Sequence, residues 1–306
     1  MHPRAEPEYL VVAGPTAVGK TAVALEVAEK LDGEIVIADS RQVYRGLEIG
    51  TAKPTADERS RVAHHLLDVV DLGRRFTAAD FAVEAGEAVD AIRSRGRVPV
   101  VSGGTGLYLA ALAGSLDPVE GGASESEREE ARARVAAVPV AERHAMLARV
   151  DDPTARRLHA ADRQRVDRAL EVWFLTGEPL SRRQSGGVAP RPHLAVRLDR
   201  PRAELLDRID RRLEAMLEAG LEAEARTLWQ AGWTPDDPGI DTIGYQEWWP
   251  HFEGARGRDE TIAAIRAATR QYAKRQSTWF RHQGEYMPVP ADGGRDRLID
   301  LWREGR

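Results

Sequence analysis

Residues 14–21 read Gly-Pro-Thr-Ala-Val-Gly-Lys-Thr, which fits the spacing G-x-x-x-x-G-K-[ST]. That spacing suits an anion. Glycines let the backbone curl until several N–H groups aim at one point, and the N-terminus of a following helix adds positive potential there. Lys20 can neutralise phosphate oxygens, and the Thr21 hydroxyl can hold Mg²⁺. Only four lysines occur (Lys20, Lys30, Lys53 and Lys274) against 40 arginines, so a lysine at this position carries weight. The pattern alone does not name the phosphate compound. An NTPase pairs such a loop with an Asp at the end of a central strand, where it holds Mg²⁺ through water. Here the apolar run 98–101 leads into Ser102-Gly103-Gly104-Thr105, with no acid. The acid follows another run, at Asp39 after residues 34–38. By spacing alone Asp39 can orient a metal, act as a general base or cap a helix.

These groups need elements that bring them together. The runs 9–13, 34–38 and 98–101 are short, apolar and bounded by turns, and they alternate with helical spacing such as Val23, Val27 and Leu31. This is the pattern of parallel strands covered on both faces. In a parallel sheet the C-terminal strand ends share one edge, so the phosphate loop, Asp39 and Thr105 should converge. Residues 65–70 suggest a further strand, and Thr77 with Asp80 a capping pair for a helix through about Arg95. Residues 120–126 are rich in Gly, Ser and Glu, as in a linker, and 124–177 carry helical spacing without strand pattern. Within that stretch Ser124 and Glu127 pair as a cap, Asp162 starts a helix and Gly177 follows its end. Residues 181–192 resemble a basic loop, and 193–198 return to strand character. Pro201 opens a helix with Leu205, Ile209, Leu213 and Met216 on one face, and helices continue to about Arg281. The expected architecture is an α/β core, residues 1–120, interrupted by a helical insertion domain, 121–190, with 191–306 returning to the core and adding C-terminal helices.

Composition narrows the classes. The chain has no cysteine, which excludes a disulfide framework, a thiolate zinc site and a cysteine nucleophile. The longest uncharged stretch, 98–116, holds four glycines and a proline, so it reads as strand, turn and helix and not as a membrane span. The opening residues have too short an apolar run for a secretory signal, and a cytoplasmic protein is expected. Net charge is −5, yet residues 156–212 hold 14 arginines against 8 acids, and 265–285 hold five basic side chains against one acid. Two such segments favour an RNA surface. His64-His65 lacks a third ligand at metal spacing and reads as structural, while Trp248, Trp249 and Trp279 read as packing anchors.

Several strings together are specific. GPTAVGKT, ADSRQVYRGLEIGTAKP (38–54), HHLLD (64–68), FTAADF (76–81), VVSGGTGLY (100–108), DRALEV (167–172), IGYQE (243–247) and ATRQYAKRQSTWFR (268–281) resemble, in order, the motifs of the tRNA dimethylallyltransferase family, also called tRNA isopentenyltransferases. The resemblance implies a P-loop NTPase-like parallel sheet core with helices on both faces. It also implies a reaction: a dimethylallyl group passes from its diphosphate to the N6 amine of the adenosine 3′ to the anticodon, in tRNAs reading codons that begin with U. Mg²⁺ is the implied cofactor. A diphosphate leaving group in the loop, in place of ATP, accounts for the missing acid after residues 98–101.

Matched position by position, the family motifs make Asp39 the general base, place Thr105 near the reacting base and set Arg208 at the diphosphate. Gly14, Pro15, Thr16, Ala17, Val18, Gly19, Lys20 and Thr21 are the implied diphosphate loop, with Thr21 also the metal contact. The implied tRNA contacts are Ser40, Arg41 and Gln42; Arg128; Gln164, Arg165 and Arg168; and Lys274, Arg275 and Arg281. The anticodon stem-loop of tRNA and dimethylallyl diphosphate are the expected partners, with no membrane, and one site per tRNA favours a monomer. The chain departs from the family at Val18, commonly Ser, at Ala63, commonly Pro, and between His159 and Asp162. A phosphate-loop kinase and a non-catalytic RNA-binding protein with a relic loop are the competing expectations. The missing strand-end acid counts against the first, and intact Lys20, Thr21 and Asp39 against the second.

Overall fold

The chain's architecture is given by a computed structural model, which describes residues 6–114, 123–183 and 191–305. Strand β1 (Tyr9–Ala13) enters the phosphate loop, and α1 (Lys20–Lys30) leaves it. The chain then forms β2 (Gly33–Ile37), α2 (Ala56–Arg61), β3 (His64–His65), α3 (Ala78–Ser94), β4 (Val98–Gly103) and α4 (Gly106–Leu112). Helices α5 (Glu125–Ala136), α6 (Val140–Val150), α7 (Asp152–Arg157), α8 (Arg163–Thr176) and α9 (Leu180–Arg183) follow. Strand β5 (His193–Asp199) returns to the sheet, succeeded by α10 (Arg202–Glu218), α11 (Leu221–Gln230), α12 (Trp249–Phe252), α13 (Arg258–His282), β6 (Met287–Pro290) and α14 (Gly294–Glu304).

Six strands pair in the order β3-β2-β4-β1-β5-β6, every pair parallel. The apolar runs are buried along their whole length because each strand alternates between two covered faces. Tyr9, Val11 and Ala13 of β1 join one core with Phe81, Ala85, Val89 and Ile92 of α3 and Ile265 and Phe280 of α13. Leu10 and Val12 point the other way, into a core with Val23 and Val27 of α1 and Leu298 and Leu301 of α14. The helices α5–α9 have a third, smaller core built on Val135, Leu147, Val166 and Leu170. Of the expected linker, 120–122 lie outside the described residues and 125–126 already belong to α5; of the basic loop, 184–190 lie outside them, and the boundaries 120/121 and 190/191 fall in or at the edge of these segments.

Local signals set several helix starts. Thr77 and Asp80 form a reciprocal capping box at α3, and Ser124 and Glu127 do the same at α5. Asp162 caps α8, whose C-cap Gly177 adopts a left-handed φ of 72°. Two expectations need correction. The strand expected at 65–70 ends at His65, because Leu66 and Asp68 take left-handed φ values of 61° and 56° and turn the chain. The chain beyond Arg281 also adds a strand and a helix. Pro288 and Pro290 hide that strand from a pattern search, and they are tolerated because β6 is an edge with only one neighbour.

Leu147 is fully buried in the small core. Leu147→Ala should cost about 2–5 kcal/mol locally. In native-state hydrogen exchange the loss of protection should fall on residues 125–183 and leave β1 and β4 unchanged; equal loss in the sheet would show that the two cores melt as one.

Candidate active site

The sheet register brings the proposed groups to one edge. Ala13 at the end of β1 pairs with Gly103 of β4, and Ile37 of β2 pairs with Ser102. Beyond the strands the Ala38 carbonyl accepts the Thr105 N–H at 3.2 Å, and Ala38 N–H donates to the Ser102 carbonyl at 2.8 Å. Phosphate loop, Asp39 and the 103–106 turn are therefore fastened side by side.

The loop curls through Gly14 at φ 151°, Ala17 at φ 64° and Gly19 at φ 113°. Gly19 is required at its position, since an L side chain rarely adopts that backbone. Lys20 Nζ donates to the Pro15 carbonyl at 2.8 Å, which folds the ammonium back over the loop. Desolvation lowers the Lys20 pKa to about 8; Asp39 pulls it back up and Arg212 pushes it further down. Arg208 Nε donates to the Ala17 carbonyl at 2.8 Å and Arg200 Nε to the Val18 carbonyl at 3.2 Å, so two guanidinium groups brace the loop. Arg211 turns away and pairs with Asp207. The Thr16 N–H is taken by Gln276 Oε1 at 2.8 Å, Pro15 has no N–H, and the Val18 N–H donates to the Pro15 carbonyl at 3.3 Å, so an anion would draw on the N–H groups of Ala17, Gly19 and Lys20.

Asp39 Oδ1 accepts the N–H groups of Arg41 at 2.8 Å and Gln42 at 3.4 Å, which fixes the carboxylate where the chain turns. Thr105 Oγ1 accepts the Ser40 N–H at 3.0 Å, so Thr105 holds the residue next to Asp39. Gln42 is buried, and its amide donates to the Thr51 and Ala52 carbonyls; it shapes the 42–52 loop from within. Arg41 reaches Pro238 O at 3.0 Å and Asp241 at 3.8 Å. A cavity of about 340 Å³ opens over these groups. Its polar end holds Lys20, Thr21, Asp39 and Arg212, and its apolar wall is Ile209, Leu213, Met216 and Ile265. Burial lowers the Arg212 pKa from its ordinary value, while Asp39 opposes the shift.

Among the described residues no group of three or more His, Asp or Glu side chains is placed to hold a metal by itself. A smaller cavity of about 40 Å³ adjoins Lys20 and Thr21 and is walled by Asp39, Ser102 and His64, whose buried Nε2 has no hydrogen-bond partner. Hydroxyl and carboxylate oxygens at a polar hollow fit a hard cation that keeps several waters and takes its remaining ligands from a phosphate substrate, as Mg²⁺ does. His65 differs from its neighbour: its Nε2 lies 2.7 Å from Glu34 in a cluster with Arg95 and Arg97, a structural role.

The remaining sequence-matched residues lie on helices. Lys274, Arg275 and Arg281 are exposed on α13, and Gln164 and Arg165 are exposed on α8. Arg165 reaches Asp162 at 3.6 Å and Arg168 reaches Glu171 at 3.3 Å. Arg128 bridges to Asp80 at 3.5 Å and ties α5 to α3. Arg211 and Arg212, close to Arg208 in sequence, compete with it for the diphosphate role, and of the two it is Arg212 that lines the cavity; Tyr272 and Gln276 were missed by sequence reasoning. The signal was present as helical spacing: 208 and 212 share a face of α10, and 272, 276 and 279 share a face of α13. Tyr272 lines the cavity and interacts with Thr105; burial and nearby Asp39 push its phenol up to about 12.

A family model described as IPP transferase matches residues 42–283. The chain belongs to the IPP transferase family. It is 47% identical to tRNA dimethylallyltransferase 1 of Trichlorobacter lovleyi, over 91% of this chain and 92% of that protein. It is 48% identical to the tRNA dimethylallyltransferase of Halorhodospira halophila, over 94% of each. Among solved structures, the tRNA isopentenylpyrophosphate transferase of Bacillus halodurans matches with a TM-score of 0.71 at 36% identity, over 97% of this chain and 96% of that one. A eukaryotic dimethylallyltransferase acting on tRNA matches with a TM-score of 0.81 at 28% identity, over 92% of this chain and 73% of that one. The curated relatives and solved structures extend the family likeness beyond 42–283 to more than nine tenths of the chain.

With its pKa near 8, Lys20 carries charge below that pH in the ligand-free protein and loses it above. Affinity for pyrophosphate in excess Mg²⁺, measured by calorimetry, should be flat below about pH 8 and fall by up to tenfold per pH unit above it. Lys20→Met should bind weakly with no such break. A wild-type profile without a break between pH 7 and 9.5 would contradict the assignment.

Proposed function

We propose that this protein transfers the dimethylallyl group of dimethylallyl diphosphate to the N6 amine of the adenosine 3′-adjacent to the anticodon, tRNA position 37, in tRNAs reading codons that begin with U. It acts as a monomer in the cytoplasm. The observation that carries this reading is the shared cavity of about 340 Å³, which is lined both by the anion loop and a fixed carboxylate and by the apolar side chains Ile209, Leu213, Met216 and Ile265. β4 ends in Ser102 and Gly103 and has no acid, which speaks against ATP hydrolysis or phosphoryl transfer as the loop's task.

The chemistry follows from the parts. An adenine exocyclic amine is a poor nucleophile because its lone pair is delocalised into the ring. Asp39 takes the N6 proton as the new C–N bond forms and the C–O bond to the diphosphate breaks. Positive charge on the allylic carbon is spread over the allyl unit. Lys20, Arg208, Arg212 and the N–H groups of Ala17, Gly19 and Lys20 receive the negative charge that collects on the leaving group. Thr21 is the residue that would hold Mg²⁺, which supplies further neutralisation of the diphosphate oxygens when bound. Thr105 and Ser40 keep the Asp39 turn in place.

The target base has to leave its stack to enter such a cavity, at a cost of a few kcal/mol that is lower in a loop than in a duplex. The exposed Lys274, Arg275 and Arg281 on α13, with Gln164, Arg165 and Arg168 on α8, are the proposed grip on the anticodon stem-loop. Arg41 and Ser40 stand nearest the extruded base, and Arg128 contributes from the start of α5.

Asp39→Ala should lower single-turnover transfer of labelled dimethylallyl to tRNA by about 10²–10⁴-fold, while tRNA Kd changes less than threefold. Parallel losses in rate and affinity would remove Asp39 from the role of base.

A further inference from the structure

Helix α13 lays one stripe of side chains on the turn that follows β4. Tyr272 meets Thr105, Gln276 meets Gly104, and Trp279 meets Gly106. The stripe follows the helical spacing of three and four. Gln276 is its centre. It is only 6% exposed, and both ends of its amide are used. Oε1 accepts the Thr16 N–H at 2.8 Å, and Nε2 donates to the Gly104 carbonyl at 2.8 Å. The partners fix which end is oxygen, because an N–H demands an acceptor and a carbonyl a donor. A Cβ at position 104 would overlap this amide, so the glycine is what lets Gln276 sit there.

Its two partners belong to opposite halves of the site. Thr16 lies in the phosphate loop. Gly104 precedes Thr105, whose hydroxyl holds Ser40 beside Asp39. We propose that Gln276 is a positioning residue that sets the separation between the diphosphate loop and the base-side turn, so that the allylic carbon and the adenine amine meet at bonding distance. This rests on the transfer reaction proposed above. Gln276 also borders the cavity, and the role assigned to it here is exercised through its hydrogen bonds to Thr16 and Gly104. Misplacement of reacting atoms by about 1 Å can cost about 10² in rate, so the effect belongs in kcat.

The test uses the full-length protein, tRNA and labelled dimethylallyl diphosphate, with three variants. Gln276→Met keeps the length of the side chain and removes both hydrogen bonds. Gly104→Ala evicts the amide from the other side. The third variant combines the two. Each single change should lower kcat by about 10–100-fold and leave tRNA Kd within threefold of wild type. Because each single change disrupts the same pair of hydrogen bonds, the double variant should be no slower than the worse single within threefold. A multiplicative loss in the double, or a kcat for Gln276→Met within threefold of wild type, would overturn the proposal. If Gln276→Met does not fold, Gln276→Glu carries the same test. It has the same shape and still accepts from Thr16, but it cannot donate to Gly104 when ionised. A kcat at least tenfold lower with tRNA Kd unchanged supports the proposal, and an unchanged kcat overturns it. Wild-type protein that binds tRNA but transfers no label would instead defeat the reaction assigned to the site. In that case pyrophosphate affinity in Mg²⁺ reads Gln276 alone: a tenfold loss in Gln276→Met still supports its hold on the loop, and no loss refutes it.

Discussion

The proposed reaction asks a carboxylate and a highly charged leaving group to share one cavity, and the charges around Asp39 bear on that repulsion. Lys20 and Arg212 both feel Asp39 and each other. Buried cations crowded together are costly, and buried anions beside them offset part of that cost. The resting protein therefore holds a set of charges only partly balanced by Asp39, with surplus positive potential at the loop. The diphosphate of the proposed reaction would complete the balance. Arg208 contributes from α10, and because it is anchored to the Ala17 carbonyl its charge is fixed in direction before any substrate arrives, whereas Arg200, anchored to the Val18 carbonyl, is paired with Glu204 and Asp292 and serves as a brace. Preorganised charge of this kind needs no rearrangement as the bond breaks.

Parallel strand geometry makes this arrangement economical. Three short apolar strands, β1, β2 and β4, end at the same edge. The chain's polar chemistry then begins within two or three residues of each end, at Gly14, Asp39 and Thr105. None of the three segments is long, and none is near the others in sequence. The cross-links between them are backbone to backbone at Ala38 and side chain to backbone at Thr105 and Gln276.

Much of this was legible in the residues. The phosphate loop has a spacing that few other purposes require, and the runs 9–13 and 98–101 are too short and too apolar to be anything but buried strands. Capping pairs at Thr77 and Ser124 worked because they act within four residues. What was not legible depends on distant partners. His65 stops a strand because Leu66 and Asp68 turn the backbone, a choice stabilised by Lys53, which contacts Asp68 from another loop. Strand β6 was masked by its prolines. In the site, the basic side chains of α13 drew attention to Lys274 and Arg275, whereas its inward stripe of Tyr272, Gln276 and Trp279 takes meaning only from the turn packed beneath it. A neutral amide has no sequence signature of its own; Gln276 is recognised by its two partners, 260 and 172 residues away.

The two margins of the sheet are unlike most exposed strand edges. On one side β3 is only two residues long, and on the other β6 lacks an amide hydrogen at Pro288 and Pro290. An incoming extended chain would find almost no ladder to bond with at one margin and an interrupted one at the other. A protein with a six-stranded parallel sheet is thereby guarded against recruiting stray strands while it folds.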